Sequence, residues 1–387
     1  MTKTFVVSTK EVDDIDLAVE EILSQLNVGN ELLKNSIGII SCHYEFVDSG
    51  VVEAVCEALP FETVGTISWL LATPKEMGVF LLTIMVITSD DIEFTTTLTP
   101  SLTENPNPII AESYKTLASE RDDSPGLIFV FVPFMPQNVG DEYVDVLTET
   151  SGGVPCFGTV AIDDTVDFSN CHSLYNGSHY KDKMVMVLAY GNIAPKFYIA
   201  NMSEGAVLDK SAIVTKSTGS VIMELNGKTV DEFFADTGLA TASDLQYAMT
   251  SLPFLFDYGD GTPKVSRNFV GMTPERYAIC AGAIPQGSTM QIAPTDKNDV
   301  LKTTTRALKE IAKDINDGAG MLMYSCIARN LIMGSEQFGE IKLAEKEIGD
   351  KLPYMMMSSG GEICPTQVKD GIATNRFHNN AFVVCLF

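Results

Sequence analysis

Along the first half of the chain, short apolar runs rich in valine, isoleucine and phenylalanine alternate with stretches whose apolar residues recur at helical spacing. Residues 36–42 form one run, 51–59 a helical stretch and 63–67 a second run; 126–132, 141–148 and 155–160 repeat that order. Such runs alternating with helices predict sheet strands covered by helices. Each copy has a glycine inside its second run, Gly65 in one and Gly158 in the other. A glycine within a strand permits close approach of another backbone or of a ligand. Tight packing between the repeats is the simpler use, and Gly158 is kept as a candidate ligand contact. Each copy continues into a further apolar run, 78–88 and 184–190. The pattern predicts one α/β domain over residues 1–200, with an internal repeat at 36–90 and 125–190 and a boundary at 201–210.

The second half has a different texture. Residues 221–225 read as a strand running into Asn226-Gly227, a tight-turn signal because both residues accept positive φ, and 230–235 as a short helix. Residues 277–284 and 289–292, joined by Pro285-Gln286-Gly287-Ser288, predict a β-hairpin. Between 299 and 317, Leu301, Leu308, Ile311, Ala312 and Ile315 make a helical stripe that Gly318 ends. Residues 319–327, 353–359 and 381–387 read as strands and 335–348 as a helix. Residues 201–387 are therefore expected to form a second domain with a hairpin and a mixed sheet, and the fold class is mixed α/β in two domains.

Composition removes whole classes of function. The chain of 387 residues has room for two globular domains. With 26 basic against 51 acidic residues and a formal charge of −25, it would repel nucleic-acid phosphates and anionic lipid headgroups. The longest apolar stretch, 78–88, is far short of the roughly 20 residues that cross a bilayer, and the first ten residues lack the pattern of a secretory leader. A cytoplasmic protein is expected. The eight cysteines show no CxxC pair and several sit in apolar runs, which suggests reduced core thiols.

Candidate chemistry gathers at predicted strand ends, where α/β sheets usually bind ligands. Ser325-Cys326-Ile327-Ala328-Arg329 closes one strand. Gly360-Gly361-Glu362 places a carboxylate beside a glycine turn. Asn375-Arg376-Phe377-His378-Asn379-Asn380 reads as a polar loop between two apolar runs. Of six arginines, Arg267, Arg329 and Arg376 stand where they could meet a ligand. A guanidinium offers paired donors to a carboxylate and Glu362 could meet an ammonium, so the two together suit an amino acid. An internal ion pair between Arg329 and Glu362 is the competing reading. The candidate ligand-binding residues are Cys326, Arg329, Gly361, Glu362, Asn375, Arg376, His378, Asn379, Arg267 and Gly158.

Metal and cofactor readings are thin. Residues 257–263 lack the alternating acids and final glutamate of a calcium loop, and Cys171-His172 with His179 lacks the second close pair of a zinc site. No cofactor is expected. As an enzyme the chain offers Cys326 as nucleophile and His378 as base, with no third residue to orient them. A scaffold in which these residues merely hold loops is a further alternative, and its mark would be a closed surface where the three clusters meet.

The motifs have a counterpart among known families. Cys326-Ile327-Ala328-Arg329 followed by Gly334, Gly361-Glu362-Ile363 with Pro365, and Phe377-His378-Asn379 before a final strand resemble the FIST C-terminal domain. Ile213-Val214-Thr215-Lys216-Ser217, Glu224-Leu225-Asn226-Gly227 and Ile284-Pro285-Gln286-Gly287-Ser288-Thr289 are similar to upstream parts of that domain. Pro155-Cys156-Phe157-Gly158 with Asp163-Asp164 resembles the FIST N-terminal domain, so the likeness spans residues 35–387. It implies a sensory module of intracellular signal transduction that binds a small ligand such as an amino acid and acts on an effector protein in trans. Two departures bear on the ligand: Ala328 stands where the family often has glycine, and Met355 to Ser359 replaces a tyrosine-containing run.

Overall fold

The strand–helix–strand pattern occurs three times in the computed structural model, which describes residues 1–26, 32–135, 140–165, 168–201, 207–237 and 253–387. The first unit runs β1 (Thr2–Thr9), α1 (Ile15–Leu26), β2 (Asn35–Cys42), α2 (Val51–Glu57), β3 (Thr63–Ile67), a small hairpin of β4 (Leu71–Ala72) and β5 (Met77–Gly78), and β6 (Leu82–Ser89). The second repeats it as β7 (Ile92–Leu98), α3 (Pro106–Ala118), β8 (Leu127–Val132), α4 (Gly140–Ser151), β9 (Cys156–Val160), the hairpin β10 (Ser173–Tyr175) and β11 (Ser178–Tyr180), and β12 (Val185–Gly191). The third begins with β13 (Lys196–Ala200) and is then interrupted.

The interruption is an antiparallel lobe: β14 (Ser211–Thr218), β15 (Val221–Leu225), β16 (Lys228–Thr229), α5 (Val230–Thr237), β17 (Phe254–Asp257), β18 (Val265–Arg267), β19 (Phe269–Met272), β20 (Ala278–Cys280) and β21 (Thr289–Ile292). Phe234, Phe254 and Phe269 centre its own apolar core. The third unit then resumes with α6 (Lys297–Asp314), β22 (Met321–Cys326), α7 (Ile327–Met333), α8 (Gly339–Glu347), β23 (Tyr354–Ser359), the hairpin β24 (Gly361–Lys369) and β25 (Ile372–His378), and β26 (Phe382–Leu386). Asp296 starts α6 with a reciprocal cap, its carboxylate accepting from the Asn298 and Asp299 amides at 2.7 and 3.0 Å.

Each unit completes another unit's sheet. The strand orders are β1-β6-β2-β3-β10-β11, β7-β12-β8-β9-β24-β25 and β13-β26-β22-β23-β4-β5. The first unit's hairpin thus pairs with the third sheet, the second's with the first, and the third's with the second, as the registers Met356↔Ala72, Ser173↔Thr66 and Glu362↔Thr159 show. This cyclic exchange closes a ring. One face of all three sheets meets in a single apolar core, where Ile39, Met85, Phe129, Phe157, Tyr324 and Val383 are buried together and the Phe157 and Tyr324 rings stack at 4.8 Å. Helices cover the outer faces.

The mixed α/β class and the strands of the two predicted repeats are present, with a two-part layout of ring and lobe. Residue 200 ends β13 and opens the insert; the sheets themselves cross that position, because β13 pairs with β26. Part of the expected boundary, 202–206, lies outside the described residues. Two local expectations are corrected. Residues 277–284 and 289–292 do not form a hairpin: β20 pairs with β15 and β19, and β21 with β14 and β17. The intervening chain instead packs Gly282 against Arg267, where a Cβ would come within 2.6 Å of Nε. Gly361-Glu362 and 375–378, read as a turn and a loop, are the paired strands β24 and β25.

Both strand glycines serve the backbone. A Cβ on Gly65 would lie 1.7 Å from the Ile40 carbonyl oxygen, and one on Gly158 would lie 2.1 Å from that of Val130. Each faces the neighbouring parallel strand of its own sheet, which gives Gly158 a packing role. Gly158→Ala is expected to destabilise the fold by about 1–3 kcal/mol through overpacking, read as a lower urea midpoint. An unchanged midpoint would return this glycine to the candidate ligand contacts.

Candidate functional site

The ends of β8 and β22 and the β23–β24 link come together at one edge of the ring, and the inserted lobe lies over them. Between ring and lobe is an open cavity of about 550 Å³. Phe134 and Met135 follow β8, Cys326 ends β22 and Ile327 and Ala328 follow it, and Gly360, Phe377 and Asn379 come from the exchanged hairpin and its flanks; the lobe supplies Asn268, Phe269, Val270 and Gly282. Parts of the first and third clusters picked out in the sequence border one open space, which a closed scaffold would not leave; of the second, Gly361 and Glu362 are not in the wall, and the preceding Gly360 reaches it.

Two buried arginines fix the lobe. Arg267 on β18 is wholly buried and forms an ion pair with Asp141 at the start of α4. Its other donors go to the Phe377 carbonyl at 2.8 Å and the Tyr258 hydroxyl at 2.9 Å, while the Ala283 amide donates to Asp141 Oδ2 at 2.8 Å. Burial raises the Asp141 carboxyl, against the pull of Arg267. Lobe, second unit and exchanged hairpin are thereby tied at one point.

Arg329 does the same at the base of the insert. It is wholly buried on α7 and pairs with Glu340 of α8 at 2.8 Å. It also donates to the carbonyls of Ala200, the last residue of β13, of Asn380, and of Val300 on α6, and to the Thr304 hydroxyl at 2.8 Å. Glu340 further accepts from Ser325 at 2.6 Å and from Thr304. Every donor direction of the guanidinium is used inside the protein, and Arg329 is absent from the cavity wall. The partner is Glu340, not Glu362.

Glu362 lies behind the wall, wholly buried, with Oε2 accepting from the Ala381 amide at 3.4 Å and with the Ser359 and Cys326 side chains as further hydrogen-bond partners of the carboxyl. Burial holds its carboxyl well above the usual range, with Arg329 exerting a lesser opposing pull. Burial likewise pushes the Cys326 thiol well up, and it depresses His378 to about 3. His378 turns Nε2 to the Cys364 carbonyl at 3.0 Å. A thiol held protonated and an imidazole bonded to a carbonyl do not make an activated nucleophile and base.

The remaining candidates are placed as follows. Asn375 bridges to the second unit, accepting from the Cys156 amide at 2.8 Å and donating to the Val154 carbonyl at 2.9 Å. Arg376 pairs with Asp260 of the lobe and lies 5.3 Å from the centre of the Tyr258 ring. Gly361 makes room for Phe377, whose ring a Cβ would meet at 2.2 Å. Of the candidate residues, Cys326 and Asn379 border the cavity, and Asn379 Oδ1 is buried without a partner. Asn268, Phe134 and Met135 were missed. The signal for the latter two was available, since β8 is the counterpart of β22 and its end deserved the same scrutiny.

His172 and His179, expected not to hold zinc, stack with Nδ1 atoms 2.9 Å apart. Burial and the neighbouring His179 depress His172 to about 4. Its folded value and that of His378 lie below the unfolded value of about 6.5. The unfolded chain thus takes up protons the folded one refuses, and the stability contributed is complete above pH 6.5 and lost as pH falls toward 4. Each histidine is expected to contribute up to about 1.4 kcal/mol of loss per pH unit in that window. His378→Gln should flatten the change in urea midpoint between pH 7 and 5; an unaltered slope would contradict the buried neutral imidazole.

Sequence profiles of the FIST N domain and the FIST C domain match residues 36–228 and 232–365 respectively. The chain belongs to the FIST family, which is associated with small-ligand sensing in signal transduction. Among solved structures, a cyanuic acid hydrolase from A. caulinodans aligns over 100% of this chain and 98% of its own at 10% identity, with a TM-score of 0.39. T. maritima PurL complexed with ATP aligns over 100% of this chain and 71% of its own at 9% identity, with a TM-score of 0.18. Both likenesses are too distant to carry an argument about activity. Comparison with curated proteins finds no match. Among the described residues no helix is long and apolar enough to cross a membrane.

Proposed function

We propose that this chain is a small-ligand sensor whose ligand occupies the cavity between the ring and the inserted lobe, and whose output passes to an effector protein in trans. The observation that carries the reading is the meeting of the strand ends at Cys326, Gly360 and Asn379 with an inserted lobe that has its own apolar core, around one open space. Such a space at strand ends and between lobes is where ligands of α/β proteins are usually held. Occupancy would add contacts between lobe and ring, and so bias the lobe's position. An amino acid, the ligand expected from Arg329 and Glu362, would have to bind without either, since neither reaches the wall.

The test is a thermal-shift screen of small molecules against the native chain and against Leu331→Trp, a substitution at a half-exposed wall residue that should fold normally and fill the cavity mouth. A ligand at about 100 times its dissociation constant adds about 2.7 kcal/mol. Hits are expected to raise the midpoint of the native chain and to leave that of Leu331→Trp unmoved. Hits that stabilise both equally would place the ligand elsewhere.

A further inference from the structure

Among the described residues, the side chains bordering the cavity include no lysine, arginine, aspartate, glutamate or histidine. Its polar members, among them Asn268, Asn379 and Ser220, are neutral, and Phe134, Phe269 and Phe377 supply broad apolar faces. Three arginines close to the wall are matched by carboxylates, Arg267 by Asp141, Arg376 by Asp260 and Arg329 by Glu340, and buried Asp163, next to wall residue Ile162, is held by the Thr165 hydroxyl and the Asn170 amide. Cys326 in the wall, and Glu362 and His378 behind it, are buried, and burial disfavours the charged form of each. A charged ligand entering this space would give up water and find no counter-charge among the described wall residues, and such a transfer is among the costliest a site can impose.

We infer that the sensed ligand is an uncharged, mainly apolar small molecule rather than an amino acid or a carboxylate. This rests on the cavity being the sensing site. The wall offers neutral amide and hydroxyl groups to orient one polar end of such a molecule, and aromatic faces to cover the rest. The net charge of −25 would repel anionic ligands generally, so salt must screen it before specificity is read; at 0.15 M the screening length is about 8 Å.

The experiment uses the full chain, the neutral fluorescent probe N-phenyl-1-naphthylamine, and four competitors that share one ring system: indole, tryptamine, indole-3-acetate and L-tryptophan. Val270→Trp, at a lobe residue that is 41% exposed and lines the cavity, reports where the probe sits; its thermal midpoint should match that of the native chain. The probe is expected to brighten with the native chain and to bind Val270→Trp at least about tenfold more weakly. Indole is expected to displace it at concentrations at least about tenfold lower than any of the three charged analogues, a preference of about 1.4 kcal/mol. A charged analogue that matches indole, with Val270→Trp still blocking the probe, would overturn the ligand class and leave the cavity as the site. A probe that binds both proteins alike, or neither, would overturn the assignment of the cavity as well.

Discussion

Replacing Arg329 with alanine is expected to lower the unfolding free energy by about 3–5 kcal/mol, the usual consequence of stranding one partner of a buried ion pair. Glu340 would be left wholly buried with only the Ser325 and Thr304 hydroxyls to answer its charge. The carbonyls of Ala200, Val300 and Asn380 would lose a shared donor, and with it the clamp holding the two chain crossings at the base of the insert. Adding Glu340→Ala should recover part of the loss, giving a coupling energy measurable by a double-mutant cycle in urea. If Arg329 were instead a ligand anchor, the single replacement would leave the urea midpoint almost unchanged and abolish binding.

Asp141→Asn should be comparably severe, about 3–5 kcal/mol by the same reasoning, but the loss should be local. It leaves Arg267 buried without a counter-charge at the contact between lobe and ring. Amide exchange and limited proteolysis should therefore rise across the lobe, 207–295, before the ring sheets are affected. The partly exposed pair of Arg376 with Asp260 is a useful contrast, since Arg376→Ala should cost no more than about 1 kcal/mol. Equal exchange in the lobe and in β2 or β8 after Asp141→Asn would contradict a separately docked lobe.

The readable parts of the fold are those with undisturbed periodicity. Strands β2, β3, β8 and β9 and helix α4 follow from apolar runs and helical spacing, and the paired glycines Gly65 and Gly158 marked a shared geometry. The third copy of the same unit was not recognised because the lobe separates β13 from α6, which breaks the period. The exchanged hairpins were hidden for two reasons. In β4 and β5 the strands have two residues each, too few to show alternation. In β24 and β25 buried positions on both faces carry polar residues, Glu362, Asn375 and His378, where the alternation rule expects apolar ones.

The site shows the same division. That polar residues at the end of β22 would border a shared space was legible in part, because topology places parallel strand ends on one edge of a sheet, but Arg329 and Glu362, expected to flank it, do not line it. The role of Arg329 was not. A guanidinium at a strand end suits a ligand anion or an internal acid equally well, and its actual partner, Glu340, lies on a helix that the sequence gives no reason to call buried. Arg267 likewise looked free, because its partner Asp141 comes from the other half of the chain. Scarce arginines marked positions of consequence, and here the consequence is the docking of the lobe.

The most direct test is a crystal structure of the native chain with a neutral hit from the thermal-shift screen. The account predicts ligand density between the ends of β8 and β22 and the inserted lobe, in contact with Asn379 and Phe377, with the Arg329–Glu340 pair intact. Density beside an Arg329 released from Glu340, or in the apolar centre of the ring, would contradict it.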